Sequence, residues 1–261
     1  MFTCKLLRRV IIGLLLSAEL LAHALPSEPQ AMLVASDAVR NPGQAFRVTV
    51  TLTEFEKGQQ VDTSTLLSYS KPLEAGAPLA SLIRFVQPLR DAGKLLLKSG
   101  SDLWFYDPAT KASLRISPQQ RLLGQAANGD VVTVNFARDY SAQRVRDETI
   151  QDGERRDRPA VLLRLTAVAP DATYPSVELW LDADKLWPIR ARFYTDSGRL
   201  LKTAYYRRFQ TQLGADRPTE TVIIDGLNPQ SVTIVRLSDY QARSLPSSWF
   251  QRDFLPHFQP E

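Results

Sequence analysis

Apolar and polar residues alternate along most of this chain. From Phe46 to Thr53, apolar side chains occupy every second position, with Arg47 and threonines between them. The same two-residue period is found at residues 83–85, 95–98, 161–166, 177–182 and 189–194. A period of two is typical of strands that have one apolar and one polar face. The pattern therefore predicts a mainly β protein of the α+β class.

Turn-forming residues separate these strands at short intervals. The segment Asp182-Ala183-Asp184-Lys185 joins two alternating runs as a polar hairpin turn. Further turns are indicated at residues 98–101, 107–108, 196–198 and 225–229, which are rich in Gly, Pro, Asp, Asn and Ser. Strands that follow one another at this spacing favour antiparallel connections. We expect one continuous antiparallel sheet.

Helical signals are few. Ser117-Pro118 would open a short helix over residues 119–126, and Asn128-Gly129 would close it. Residues 25–39 and 130–142 fit either a helix or a strand, and residues 244–261 read as an irregular tail packed on the surface. With so few helices, the apolar face of the sheet is best covered if the sheet curls on itself. A curled sheet leaves an apolar hollow, and such hollows bind hydrophobic ligands.

The first residues have the features of a secretory signal. Lys5, Arg8 and Arg9 form a positive region, and the apolar run 10–21 leads into Ala22-His23-Ala24. This order predicts cleavage after residue 24. An uncleaved anchor is the alternative, but the apolar run is shorter than the roughly 20 residues that span a bilayer.

Cleavage would divide the chain into a signal peptide, residues 1–24, and one mature domain, residues 25–261. We expect the mature domain in the periplasm. The single cysteine, Cys4, would leave with the signal, so no lipid-attachment cysteine follows the cleavage site. The mature chain would also form no disulfide, and its stability would depend on a buried core.

The charge of the chain argues against nucleic acid as a partner. The formal net charge is +4 for 261 residues, and removal of residues 1–24 lowers it to +2. A small net charge without a basic cluster does not favour binding to phosphate backbones.

The predicted mature chain also lacks a recognisable grouping of catalytic residues. Only His257 would remain after cleavage, and it lies close to the carboxyl terminus among prolines. Asp182 and Asp184 fit a solvated hairpin turn better than a metal site, and the charged run 154–158 fits a solvated loop. We therefore expect no enzyme activity, no metal and no cofactor.

One segment resembles a known family. Residues 98–108 read KSGSDLWFYDP, which is similar to the DGKxLWFYxP strand and turn of the periplasmic lipoprotein carrier LolA, with matches at Leu103–Tyr106 and Pro108. The longer run 95–124 resembles larger LolA-like relatives, the outer-membrane lipoprotein-sorting proteins that accompany envelope exporters. The order of strands and hairpins after this run is also similar to that of the LolA/LolB family.

The resemblance implies a fold and partners. It implies an incomplete β-barrel of about eleven strands, with helices over its open side and a cavity for acyl chains. Its cargo would be a lipid or an acylated lipoprotein, received from an inner-membrane exporter and passed to an outer-membrane acceptor. The protein would act as a monomer, and the nearest candidate for the family's cavity arginine is Arg84.

Apolar residues whose strand neighbours include charges are the candidates for the cavity wall. They are Ile83, Phe85, Leu95, Leu97, Leu103, Phe105, Leu163, Leu179, Leu181 and Phe193. Within the aromatic motif, either Leu103 and Phe105 or Trp104 and Tyr106 face the hollow. Leu122 and Leu123 are the candidates for a movable lid. The alternative for each set is ordinary core packing or a fixed cover.

Two functions fit these features. In the first, the protein carries acyl chains across the envelope toward the outer membrane, driven by about 0.8 kcal/mol for each buried methylene. In the second, it is an accessory module of an envelope exporter that uses the same fold and fills the hollow with its own side chains. A lipid that co-purifies with the protein would distinguish the two.

Overall fold

One large antiparallel sheet makes up most of the protein. The computed structural model describes residues 25–74, 78–131 and 135–259. Thirteen strands form the sheet in the order β6-β5-β4-β3-β2-β1-β15-β14-β13-β12-β11-β10-β9, and β7 pairs with β8 in a separate hairpin. The strands are β1 (Phe46–Glu56), β2 (Gln59–Pro72), β3 (Leu79–Gln87), β4 (Leu95–Ser99), β5 (Asp102–Asp107), β6 (Ala112–Arg115), β7 (Arg121–Leu123), β8 (Ala126–Ala127), β9 (Tyr140–Gln151), β10 (Asp157–Ala167), β11 (Ser176–Asp182), β12 (Pro188–Tyr194), β13 (Leu200–Gln212), β14 (Ala215–Asp225) and β15 (Ser231–Ala242).

The helices are short. They are α1 (Pro29–Arg40), α2 (Asn128–Val131) and α3 (Phe136–Asp139), with 3-10 turns at Leu89–Asp91, Ser247–Phe250 and Arg252–His257. Across the described ranges, each helix is too short or too polar to cross a bilayer.

The alternation in the sequence becomes a two-faced sheet. In β1, the side chains of Phe46, Val48, Val50 and Leu52 are each no more than 5 % exposed, and those between them lie on the other face. The prediction of a mainly β, antiparallel architecture is confirmed, although the sheet has thirteen strands and not about eleven. The hairpin turn after Asp182 joins β11 to β12 as expected.

The sheet is strongly curled and stays open. β6 and β9 form its two edges, and β4 and β10 are separated by eight other strands. In a flat sheet that separation would exceed about 40 Å, because neighbouring strands lie about 4.8 Å apart. Nevertheless, Lys98 Nζ at the end of β4 lies 2.5 Å from Asp171 Oδ2, in the loop after β10. The sheet therefore forms an incomplete barrel, whose inner surface we call the concave face.

The outer, convex face carries two apolar clusters. Leu82, Leu95 and Leu97 pack beneath the carboxyl-terminal tail, residues 245–258, which contributes Trp249 and Leu255. Further along the sheet, the second cluster is built from Ile150, Ala160, Leu162, Trp180 and Ile189. The tail packs on the surface, as expected from its sequence.

The expectations for segments outside the main strands have different outcomes. The helix expected over residues 119–126 is wrong, because this segment forms the β7–β8 hairpin, with Gly124 at a φ of +52° in its turn. The ambiguous segment 25–39 is mostly α1, and residues 130–142 include α3 and the start of β9. The predicted signal peptide, residues 1–24, lies outside the described residues.

Candidate functional site

The concave face is lined by one continuous apolar cluster. Eight of the predicted cavity residues belong to this cluster or pack against it. They are Ile83, Phe85, Leu103, Phe105, Leu163, Leu179, Leu181 and Phe193. Phe85 and Phe105 meet edge to face, with ring centroids 6.4 Å apart. Leu103 and Phe105 are thus the inward pair of the aromatic motif, and Trp104 and Tyr106 face outward.

Two predicted cavity residues point the wrong way. Leu95 and Leu97 are buried on the convex face under the carboxyl-terminal tail, whereas Leu96 belongs to the concave cluster. Register explains this, because Leu96 pairs with the inward Ile83 and Leu95 pairs with Arg84. Arg84 therefore also lies on the convex face and is not a cavity arginine. Three consecutive leucines that are buried on both faces gave no alternation from which to choose.

The predicted lid residues lie in a hairpin that covers part of the hollow. Leu122 and Leu123 of β7 are half-buried and pack against the concave cluster. The next residues bind the wall of the sheet, since Gln125 N donates to Thr233 Oγ1 at 2.7 Å and Gln125 Nε2 donates to Ser231 Oγ at 3.1 Å. These hydrogen bonds attach the hairpin to β15.

Helix α1 is the second cover, and sequence reasoning left it undecided. Met32 and Leu33 face the concave cluster and are 3 % and 0 % exposed. At its start, Gln30 donates to the carbonyl oxygens of Ala137 and Tyr140. At its end, Arg217 of β14 donates to the carbonyl oxygens of residues 38 and 39, both at 2.9 Å. The helix thus spans the open side from β9 to β14.

A cavity of about 160 Å³ lies between the sheet and the wall formed by α2, α3 and Arg40 at the end of α1. Its apolar lining comes from α2, α3 and the strands β1 and β12–β15. These residues are Phe46, Val48, Val50, Val131, Phe136, Phe193, Ala204, Ile223, Val235 and Leu237. Of the residues that the sequence singled out, Phe193 is the one that lines this cavity. Seven of the others pack elsewhere on the concave face, and Leu95 and Leu97 lie on the convex face.

One part of the cavity wall is a buried polar cluster. Lys202 of β13 forms an ion pair with Asp130 of α2 and donates to the carbonyl oxygen of Gln125 at 3.1 Å. Tyr174 Oη donates to Asp130 Oδ1 at 3.0 Å, and Tyr140 Oη accepts from the Tyr174 backbone N–H at 3.2 Å. Burial raises the pKa of both tyrosines, so their hydroxyls stay protonated. The cluster links α2 to β13 of the sheet.

A second polar group lies at the end of α1. Arg40 lines the cavity and forms an ion pair with Asp37, and its guanidinium carbon lies 4.2 Å from the ring centroid of Phe136. Tyr206 and Tyr240 line the same cavity. Burial raises the pKa of each of these tyrosines to about 12. This end therefore presents hydrogen-bond donors at neutral pH.

The arrangement suits binding more than reaction. Within the described ranges, no group of three His, Cys, Asp or Glu residues is placed to hold a metal. The side chain of His257 is exposed in the carboxyl-terminal tail, which packs on the convex face and not on the cavity. An apolar cavity with a few polar groups in its wall is typical of a site for an amphiphilic small molecule.

A solved structure with the same fold identifies the family. The chain is 34 % identical to a LolA superfamily protein from Nitrosomonas europaea, with a TM-score of 0.77, and the match covers 87 % of this chain and 98 % of that one. This chain belongs to the LolA superfamily. Its incomplete barrel, predicted from the LWFY motif, is thus a LolA-like fold.

Other comparisons agree with a LolA-like fold. A domain described as an outer membrane lipoprotein-sorting protein from Vibrio parahaemolyticus matches with a TM-score of 0.73 and 20 % identity, covering 87 % of this chain and 98 % of that one. A DUF1329 family protein from Desulfovibrio piger matches with a TM-score of 0.74 and 22 % identity, covering 87 % and 97 %. A family model described as "Uncharacterized protein" matches residues 79–257. No curated protein matches the sequence.

Proposed function

We propose that this LolA superfamily protein is a periplasmic, non-enzymatic carrier that holds an acyl chain of a lipid or acylated lipoprotein. The observation that supports this most directly is the apolar cavity between α2, α3, the end of α1 and the concave face. Burial of each methylene would contribute about 0.8 kcal/mol, and release would need an acceptor that binds the chain more tightly. An inner-membrane exporter would be the donor and an outer-membrane site the acceptor.

The size of the cavity adds a condition to this proposal. A cavity of about 150 Å³ holds one benzene-sized molecule, and this one is about 160 Å³. A long acyl chain therefore requires α2 or the end of α1 to move outward. The same small volume supports the second candidate, an accessory module of an exporter complex whose hollow is filled by its own side chains.

Uptake of a fluorescent fatty-acyl probe tests the carrier. Residues 25–261, purified from a bacterial periplasm without detergent, should bind the probe, and organic extracts should contain stoichiometric lipid by mass spectrometry. Ala204→Leu places a larger side chain in the cavity and should weaken probe binding about tenfold, because roughly two methylenes of the ligand lose their place. A folded protein that contains no lipid and takes up no probe would favour the accessory module.

The matched control is Ala160→Leu. Ala160 and Ala204 are 1 % and 2 % exposed, but Ala160 lies in a convex cluster. Both substitutions overpack the interior and should lower stability similarly. Equal loss of probe binding in both variants would show that the effect comes from stability and not from the cavity.

A disulfide between α2 and the β10–β11 loop tests whether α2 must move. A Cβ added to Gly129 would lie 2.3 Å from Thr173 Oγ1. The double substitution Gly129→Cys/Thr173→Cys therefore brings two Cβ atoms within disulfide range in a mature chain that has no other cysteine. Oxidised protein should lose probe uptake at least about tenfold, and reduction should restore it. Uptake that is the same in both states would rule out an opening at α2.

A further inference from the structure

The end of the cavity beside Arg40 contains hydrogen-bond donors that lack partners. Arg40 is the last residue of α1, and its side chain is 14 % exposed. Its Nε is buried and makes no hydrogen bond within the described part of the chain. A buried donor without a partner is unfavourable, so a site that leaves one is better suited to a bound acceptor.

Neighbouring groups reinforce the same polarity. The hydroxyls of Tyr206 and Tyr240 form no hydrogen bond among the described residues, and their raised pKa values keep them protonated. Both oxygens of the nearby Asp37 carboxylate already accept hydrogen bonds from other groups. Asp37 Oδ1 accepts from Arg40, and Asp37 Oδ2 accepts from Ala137 N at 2.7 Å. The free groups in this part of the wall are therefore donors.

The other charges around the cavity are already matched. Lys202 and Asp130 neutralise each other, and Asp130 also accepts from Tyr174 Oη and Ala127 N. Arg40 is paired with Asp37 in the same way, but its Nε has no partner among the described residues, whereas Lys202 and Asp130 contribute no unpartnered buried atom. This asymmetry distinguishes the two polar regions.

We propose that Arg40, with Tyr206 and Tyr240, binds the oxyanion head of a single-chain amphiphile whose tail occupies the apolar part of the cavity. This inference rests on the proposed function and specifies its ligand class. Guanidinium and phenol donors make their strongest hydrogen bonds to carboxylate and phosphate oxygens. A single chain is indicated because the cavity of about 160 Å³ leaves little room for several.

Competition among three ligands of equal chain length tests this. Dodecanoic acid, dodecyl phosphate and dodecanol would each displace the fluorescent fatty-acyl probe from residues 25–261 at neutral pH. The two anionic ligands should bind about tenfold more tightly than the alcohol, as expected for a charge-assisted hydrogen bond. Preference for the carboxylate would indicate a free fatty acid, and preference for the phosphate would indicate a lysophospholipid.

Variants then assign the preference to Arg40. Arg40→Gln should abolish the difference between anion and alcohol, and Arg164→Gln, an exposed arginine on the convex face of β10, should preserve it. Because Arg40→Gln leaves Asp37 unpaired, the double variant Asp37→Asn/Arg40→Gln removes both charges and should show the same loss. Arg40→Lys should retain part of the preference.

The outcomes separate this inference from the carrier proposal. Equal affinity of acid, phosphate and alcohol for the unmodified protein would overturn the oxyanion site and leave the carrier intact. An unchanged preference in Arg40→Gln would also overturn it. If neither the probe nor any of the three ligands binds, the carrier proposal fails, and the oxyanion site fails with it.

Discussion

Substitution of Trp249 by Ala should lower the free energy of unfolding by about 3–5 kcal/mol. Trp249 is 6 % exposed in the carboxyl-terminal tail, and its ring meets Tyr69 of β2 edge to face with centroids 5.3 Å apart. The same ring contacts Phe258 at 4.8 Å. Loss of the indole would leave a gap between the tail and the convex side of β2–β5, and denaturant titration followed by circular dichroism would measure the cost.

A matched pair of leucines controls this experiment. Leu255 in the same tail is 1 % exposed, whereas Leu227 in the β14–β15 turn is 72 % exposed. Leu255→Ala should cost about 2–5 kcal/mol, and Leu227→Ala should change stability by less than about 0.5 kcal/mol. If Trp249→Ala and Leu255→Ala both behave like Leu227→Ala, the tail does not pack stably on the sheet.

Substitution of Lys202 by Met should destabilise the protein by about 3–5 kcal/mol, because it leaves a carboxylate buried without its cation. The Lys202 and Asp130 side chains are 5 % and 14 % exposed. Asp130→Asn should have a similar effect, since it leaves the ammonium group of Lys202 with neutral partners. Equilibrium unfolding of each variant in urea is the measurement.

The double variant Lys202→Met/Asp130→Leu distinguishes the ion pair from simple packing. Removal of both charges ends the desolvation cost, so the double variant should be more stable than either single variant. Additive losses in this double-mutant cycle would contradict coupling between the two residues. The result also bears on function, because this pair joins α2 to β13 and would have to break if α2 moved outward.

The strands were predictable because one physical rule dominates them. Residues such as Phe46, Val48 and Val50 alternate with polar neighbours, and burial of one face fixes that alternation. The order of the sheet was less accessible, because β1 pairs with β15 across most of the chain length. Local pattern indicated a curled sheet, and the family resemblance added that the sheet forms an incomplete barrel.

The candidate site was predictable only in part. The alternation of apolar and polar residues could not assign faces at Leu95–Leu97, because all three leucines are buried and no polar residue marks the outer face. The sequence also gave no sign that residues 245–258 would cover the convex face there. Most predicted cavity residues lie on the concave face, yet the cavity itself is shifted toward Phe46, Lys202 and Ile223, where α1 leaves space.

The two covers were misjudged for different reasons. The start and stop signals Ser117-Pro118 and Asn128-Gly129 predict a helix that includes Leu122 and Leu123, but Gly124 adopts a left-handed conformation and the chain turns back as a hairpin. The prolines and polar residues near α1 obscured its apolar stripe, and only contacts from distant residues, such as Arg217, show how it is held. Tertiary contacts of this kind leave no local signal.

The small cavity sets an expectation for the time course of binding. A ligand larger than the resting space needs α2 or the end of α1 to separate from the sheet, and hydrogen bonds hold both segments in place. Association rates should therefore level off at high ligand concentration, at the rate of opening. Ligands of different chain length should reach the same plateau rate, while their dissociation rates differ.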